Sequence, residues 1–353
     1  MKRKTIFSLF VLFLITGCIP VNKPQVAEEA SPLGFNMLIG QTGKVTLRRE
    51  YQQKYYPITF GTFLKAGDLI FPESGTDVLI FCGNGETYTI SKESGIPCKS
   101  KSPLYFYDNE IILRPRTNSS LKTLPYIIEP RSTAISKSSF LIRWNSTGSN
   151  QYHVFLYNTD DITGKKLIWD KNVENNSEVI FTDEDGLLDS KFVYWVEVVD
   201  DRKKSSRDDP TQSIGFRLLS QSEQKVVKSI EDQIDSVSIS DSEKAMVLAA
   251  YYFNHELYVD AITQLNKVSN SFPAPIFWKA RIFDTIGLPA DDVKQQYLMA
   301  LAEAGKAGDI EMQASVNAFL YRLTKERAYL EEAIKYYEML NDKNMIDTLY
   351  KLK

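Results

Sequence analysis

At about Gln221 the hydrophobic pattern of this chain changes period, and that change limits what the chain can fold into. Before it, apolar side chains alternate: Val45 and Leu47; Val78, Ile80 and Cys82; Phe140, Ile142 and Trp144; Tyr152, Val154 and Leu156; Tyr194, Val196 and Val198. A period of two places such a set on one face of a strand. After it, Val226, Val227, Ile230 and Ile234 fall on one helical stripe. The expected fold class is multidomain, all-β followed by all-α. With 353 residues, 43% of them hydrophobic, two or three domains with real cores are expected.

The first residues carry an address. Lys2, Arg3 and Lys4 precede an apolar run from Ile6 to Ile15, which Pro20, Asn22, Lys23 and Pro24 end. That run is a secretory leader in length, well short of the roughly 20 residues of a membrane span. Leu14-Ile15-Thr16-Gly17-Cys18 resembles the bacterial lipobox. The resemblance implies cleavage before Cys18 and thioether-linked diacylglycerol on its thiol, with two or three acyl chains holding the protein to a membrane. A plain signal peptide with an incidental cysteine is the alternative. The expected organisation is a leader over 1–17 and a tether over 18–34. Ile19 in place of Asp favours the outer membrane of a bacterial envelope, with the protein facing the periplasm or exterior. Removing Lys2, Arg3 and Lys4 takes the formal charge from −3 to −6. With no basic block, nucleic acid is not an expected partner, and the lipid rather than surface charge must hold the membrane.

Residues 35–115 read as a small β domain. Gly83-Asn84-Gly85 is a hairpin turn before Thr87 to Ile90, and Ile111 to Leu113 reads as a closing strand. Gly43-Lys44-Val45, Leu64-x-x-Gly67-Asp68, Asp77-Val78-Leu79-Ile80 and Gly85-x-Thr87 resemble the FecR-type β domain over roughly 70 residues. The membrane helix and sigma-factor-binding segment that accompany that domain in iron-uptake regulators have no counterpart here. In an oxidising envelope Cys82 and Cys98 most simply form a disulfide, worth roughly 3 kcal/mol for a loop of about 15 residues. Two buried thiols or a redox pair are the alternatives.

Residues 125–219 read as a second β module behind a linker over Arg116 to Thr123. Pro130, Trp144, the strand from Tyr152 and the late strand from Tyr194 resemble a fibronectin type III or related immunoglobulin-like sandwich. The resemblance makes Trp144 a core residue. Trp169 and Trp195 are read as core or edge packing, with exposed sugar-stacking platforms as the alternative.

Residues 221–353 are expected to form helical repeats. Ser240-Asp241-Ser242-Glu243 offers N-caps. Ala245-x-x-Leu248-Ala249-x-x-Tyr252, then Ala261-x-x-x-Leu265 and Pro273, resemble the tetratricopeptide repeat, a helical hairpin of about 34 residues. Ala249 and Ala261 take its close-approach places, and Ala245 stands where tryptophan is usual. A degraded unit follows from about Pro275 and a third from about Ala314, with Tyr321 in place of a small residue. Met345 to Leu352 would cap the stack. A generic helical bundle is the alternative.

Motifs of catalysis are missing. The two histidines are His153 in a strand and His255 in a turn, where His255-Glu256 has no second histidine four residues on. No G-x-S-x-G or phosphate-cradling loop occurs. Asp160-Asp161 and Asp183-Glu184-Asp185-Gly186 lack the spacing of a calcium loop. No catalytic residue, metal or cofactor is expected.

The expected function is a lipid-anchored, non-enzymatic scaffold that binds an unidentified envelope protein through the repeats. Asn254, Lys279, Asn317 and Arg322 are the candidate groove residues. The alternative is a cell-wall or polysaccharide-binding lipoprotein using the β modules, with Tyr55, Tyr56, Tyr105 and Tyr107 stacking on sugars. A hydrolase would need a deep pocket enclosing acids or a histidine.

Overall fold

The computed structural model describes residues 33–98, 123–160, 164–208 and 215–352. Cys18, Ile111 to Leu113, Tyr105, Tyr107 and most of the linker lie outside them. The first strands are β1 (Asn36–Gln41), β2 (Val45–Arg48), β3 (Tyr56–Ile58), β4 (Phe63–Leu64), β5 (Leu69–Pro72), β6 (Val78–Phe81), β7 (Thr87–Ile90) and β8 (Ser94–Gly95). They form two antiparallel sheets, ordered β4-β1-β6-β7 and β3-β2-β5-β8. Leu38, Val45, Leu47, Ile70, Val78 and Ile80 fill the space between them. Cys82 lies buried in this core and is disulfide-bonded to Cys98. The β6–β7 hairpin turns at Gly85, whose φ of +88° favours glycine.

Among the described residues eight more strands follow: β9 (Ile127–Glu129), β10 (Ala134–Ile135), β11 (Ser139–Trp144), β12 (Gln151–Asp160), β13 (Gly164–Glu174), β14 (Glu178–Thr182), β15 (Val193–Asp200) and β16 (Phe216–Leu218). One sheet is ordered β14-β11-β9 and the other β10-β16-β15-β12-β13, with β10 parallel to β16. Phe140 meets Phe181 and Phe216, at 5.1 Å each, and Trp144 is 1% exposed against Tyr152. Tyr194 donates its hydroxyl back to Asp189 O, 2.9 Å, closing the corner before its own strand.

The helices are α1 (Gln221–Ser236), α2 (Asp241–Asn254), α3 (Tyr258–Leu265), α4 (Pro273–Thr285), α5 (Ala290–Ala307), α6 (Ile310–Thr324), α7 (Arg327–Leu340) and α8 (Lys343–Tyr350). Ser220 and Ser240 start α1 and α2 with reciprocal capping boxes to Glu223 and Glu243. The Arg217 guanidinium and the Ser220 groups hold the Glu223 carboxyl down at about 2. Helix α2 pairs with α3, α4 with α5 and α6 with α7. Ala249 and Ala261 are wholly buried, as a close approach requires. Val226 departs from the expected stripe and is exposed, since neighbouring residues on a helix point about 100° apart and Val227 takes the inward place.

In α2 every residue from Ala245 to Tyr252 is buried, and α4 and α6 are nearly as enclosed. A helix buried on all sides needs neighbours on all sides. The adjacent helices supply some of those neighbours and the chain's own β layers supply the rest. Phe35, Met37 and Ile39 leave the side of β1 opposite Leu38 and join Phe60, Phe63 and Phe81 in one continuous core with the helices. Phe63 stacks on Trp278, ring centroids 4.9 Å apart at 7°. The β modules are thus layers packed on the helices.

Polar contacts extend this seam along the helices. Arg49, 2% exposed, pairs with Asp68, holds Glu311 of α6 through both guanidinium NH2 contacts at 2.9 and 3.0 Å, and donates to Phe63 O. Burial alone would lower its pKa, but Glu311 and Asp68 outweigh burial and the net shift is upward. Farther along, Tyr56 donates to Met339 O and Asn341 Nδ2 to Tyr51 O. The second sandwich is tied down as well. Arg131 donates to Ile286 O and Gly287 O beyond the end of α4, and Ser136 to Asp260.

One close approach is at Gly61, φ +87°, where an added Cβ would stand 2.7 Å from the Ala274 Cβ of α4 and 2.6 Å from the end of Met246. Gly61→Ala should therefore cost roughly 2–4 kcal/mol, from the left-handed backbone and the overpacking together. Urea unfolding checks this as a lower midpoint with an unchanged slope.

A second test concerns Asp309, which caps α6 by accepting from Met312 N at 2.9 Å and from Thr59 at 3.1 Å. Burial pushes its carboxyl up to about 7. The folded chain then holds this proton more tightly than the unfolded chain. Its contribution to stability is complete below about pH 4 and is lost as pH rises through about 7. Asp309→Asn should match the wild type near pH 3.5 and exceed it by roughly a few kcal/mol at about pH 8. Unfolding curves across that range measure the difference.

Candidate functional site

The four side chains expected along an open groove are occupied locally. Asn317 is 3% exposed, and its Nδ2 donates to Gln313 O one turn back, at 2.8 Å. Asn254 does the same to Ala250 O. Lys279, half-buried, reaches Asn270 Oδ1 at 3.4 Å, and burial lowers its pKa. Arg322 lies 5.2 Å from the Phe319 ring that Arg281 approaches at 3.9 Å. The helices that carry all four are α2, α4 and α6, the ones enclosed by the β layers.

The remaining candidates also have structural places. Tyr55 donates to Glu93 and lies 5.8 Å from the Phe71 ring. His255 caps the C-terminus of α2 beside the Tyr251 ring, and burial lowers its pKa. The Asp183 carboxylate accepts from Leu187 N and Leu188 N as a turn does. Among the described residues no group of three or more His, Cys, Asp or Glu is placed to hold a metal ion.

A row of half-buried aromatic side chains is on the outer face of the five-stranded sheet. β12 carries two apolar phases. Tyr152, Val154 and Leu156 enter the sandwich core, while His153, Phe155 and Tyr157 point the other way. Their rings form a row, with His153 to Phe155 4.0 Å apart and Phe155 to Tyr157 stacked at 6.2 Å. In register with Tyr157 on β15 is Trp195, with the Lys165 ammonium 4.1 Å from its ring. The Arg207 guanidinium lies 4.5 Å from the Tyr157 ring. Glu197, nearly buried, binds the row together by accepting from Tyr157, Ser205 and Arg207 at 3.1, 2.7 and 2.8 Å. Leu167 and Val193, 45% and 39% exposed, add aliphatic surface beside it.

At one end of this face is an open groove of about 370 Å³, lined by His153, Phe155 and Val199 together with Asn172, Asp201 and Lys203. Asp170 accepts from or pairs with His153 Nε2 at 2.6 Å and fixes the ring. The rim loop is held by the Asp200 carboxylate, which accepts from Arg202 N and Lys204 N at 3.0 Å and from the Arg202 side chain at 2.7 Å. That clamp puts Lys203 in the left-handed region at φ +63°.

The alternation of Tyr152, Val154 and Leu156 predicts the inward phase of β12 and says nothing of its complement. The signal was present: from Tyr152 to Tyr157 every residue is aromatic or aliphatic, which marks a strand covered on one face and adhesive on the other. Trp169 does pack, edge-on to Phe181 at 5.4 Å. Trp195 belongs to the outer face.

Because His153 lies on the outer face and Val154 in the core, His153→Ala should cost under about 1 kcal/mol, whereas Val154→Ala should cost roughly 2 kcal/mol or more. Thermal unfolding of both variants checks it. No protein-family model matches the chain, and none of the curated proteins compared with it does either.

Proposed function

We propose that this chain is a lipid-anchored, non-enzymatic scaffold of a bacterial cell envelope, held through Cys18 at the outer membrane and facing the periplasm or exterior. In this reading the first pair of sheets is a FecR-like β domain, the second an immunoglobulin-like sandwich of fibronectin type III kind, and the helices a tetratricopeptide-like stack. The strand orders, the Tyr194 hydroxyl returned to the backbone before its strand, and the buried Ala249 and Ala261 support those assignments. No helix among the described residues is long and apolar enough to cross a membrane.

The repeats work inward, clasping the chain's own β layers, and the protein partner docks on the outer face of the five-stranded sheet around Trp195, Tyr157, Leu167 and Val193. One observation carries this reading: the inner helices are covered, whereas these rings and aliphatic side chains stay at the surface amid charged residues. Exposed apolar patches with polar rims mark interaction sites, and aromatic side chains are enriched at interface centres. The edge strand β13 carries Lys165, Lys166, Asp170 and Lys171, which discourage strand addition and leave the face as the route of contact.

A photocrosslinking residue placed at Leu167 in the native envelope should yield one protein adduct, and the same residue at Met299 on α5 should yield none. Trp195→Ala should abolish the adduct, and Cys18→Ser should release the protein from the membrane fraction and reduce the adduct with it. Adducts from Met299 alone would return the partner to the helices.

A further inference from the structure

Resting on the reading that a protein docks around Trp195, we infer that this protein presents an acidic side chain, whose carboxylate is bound by the Lys165 ammonium and the Trp195 indole N–H.

The indole nitrogen of Trp195 is buried and has no hydrogen-bond partner among the described residues. A buried donor without an acceptor is a cost that native structures rarely carry, and each such group calls for a water, an ion or a ligand. The ring borders a small cleft together with Tyr157, Lys165, Glu197 and Arg207. Free space in that cleft is about 20 Å³, room for a single oxygen atom. A water or one carboxylate oxygen fits there, and a larger ligand group does not.

Charge separates those two occupants. The Lys165 ammonium lies 4.1 Å from the Trp195 ring centre, and no carboxylate among the described residues forms an ion pair with it. Glu197 is already committed to Arg207, Tyr157 and Ser205. Partial burial, and after it the Arg207 guanidinium, lower the Lys165 pKa. Lys165 over Trp195 and Arg207 over Tyr157 thus exceed Glu197 by one positive charge. Arg131, which also borders the cleft, gives its donors to Ile286 O and Gly287 O. A water would satisfy the indole and leave the ammonium unpaired. A carboxylate answers both, through the stronger, charge-assisted kind of hydrogen bond. A basic side chain in its place would meet like charge. Leu167 and Val193, exposed on the same face, suit aliphatic side chains flanking the acid.

The test is a titration of the full mature protein with two capped synthetic peptides, Leu-Glu-Ile-Glu-Leu and its glutamine counterpart, followed by NMR of the indole N–H groups. The chain has four tryptophans, and the Trp195 signal is the one missing from Trp195→Phe. The acidic peptide should bind about tenfold tighter than the neutral one and move that signal downfield. Lys165→Gln, at unchanged thermal stability, should reduce the preference by about three- to tenfold. Trp195→Phe, which keeps a ring and removes the N–H, should weaken the acidic peptide alone. Equal binding of the two peptides, no binding of the acidic one, or a preference that survives Lys165→Gln would overturn the inference and mark the cleft as a water site. The crosslink at Leu167 separates this from the docking reading. An adduct undiminished by Lys165→Gln keeps the docked protein and removes its carboxylate, whereas no adduct beside an intact acidic preference removes the docked protein.

Discussion

The structure depends on β1 being buried on both faces. Leu38 faces the first sandwich core, and Met37 and Ile39 face the helices. A strand in that position cannot alternate between apolar and polar, and the run Phe35 to Ile39 does not, apart from Asn36, whose side chain accepts from Gly83 N. Through this strand the sheet below and the helices above share one apolar interior. Phe63 on Trp278 and Gly61 against Ala274 show how close the layers come.

Arg49 gives the seam its specificity. Apolar layers could slide, since burial of area is not directional. A guanidinium fixed between Asp68, Glu311 and Phe63 O has one satisfied position. Such a buried group adds little net stability relative to an apolar replacement, yet losing one partner is costly, at about 3–5 kcal/mol. It therefore sets register more than strength. Asp309 and Thr59 repeat the arrangement next to it with a single carboxyl, and they meet at the start of the same helix.

The elements themselves were legible in the sequence. The change of period near Gln221, the Ser240 cap, the Gly85 turn and the Cys82–Cys98 bond follow from local pattern and chemistry, and each is in the structure. The relation between elements was not. Arg48-Arg49-Glu50 reads as a charged strand end, and nothing near it announces that Arg49 is buried against Glu311, 262 residues away. Asn254, Lys279, Asn317 and Arg322 lie on α2, α4 and α6, and the pattern of a repeat does not say what covers those helices. The aromatic row at His153, Phe155 and Tyr157 is interleaved with the inward phase of the same strand, so the core alternation does not single it out.

The shared interior has a consequence for the order in which the chain is made. Synthesis delivers the β layers first and the helices last. Until α4 and α6 arrive, the sheet containing β1 shows Met37, Ile39 and Phe63 to water, and Arg49 lacks Glu311. The nascent first half is thus an adhesive, unfinished surface for most of the chain's emergence. The interval before its own C-terminal helices close over it is the time at which the molecule most needs protection from other chains.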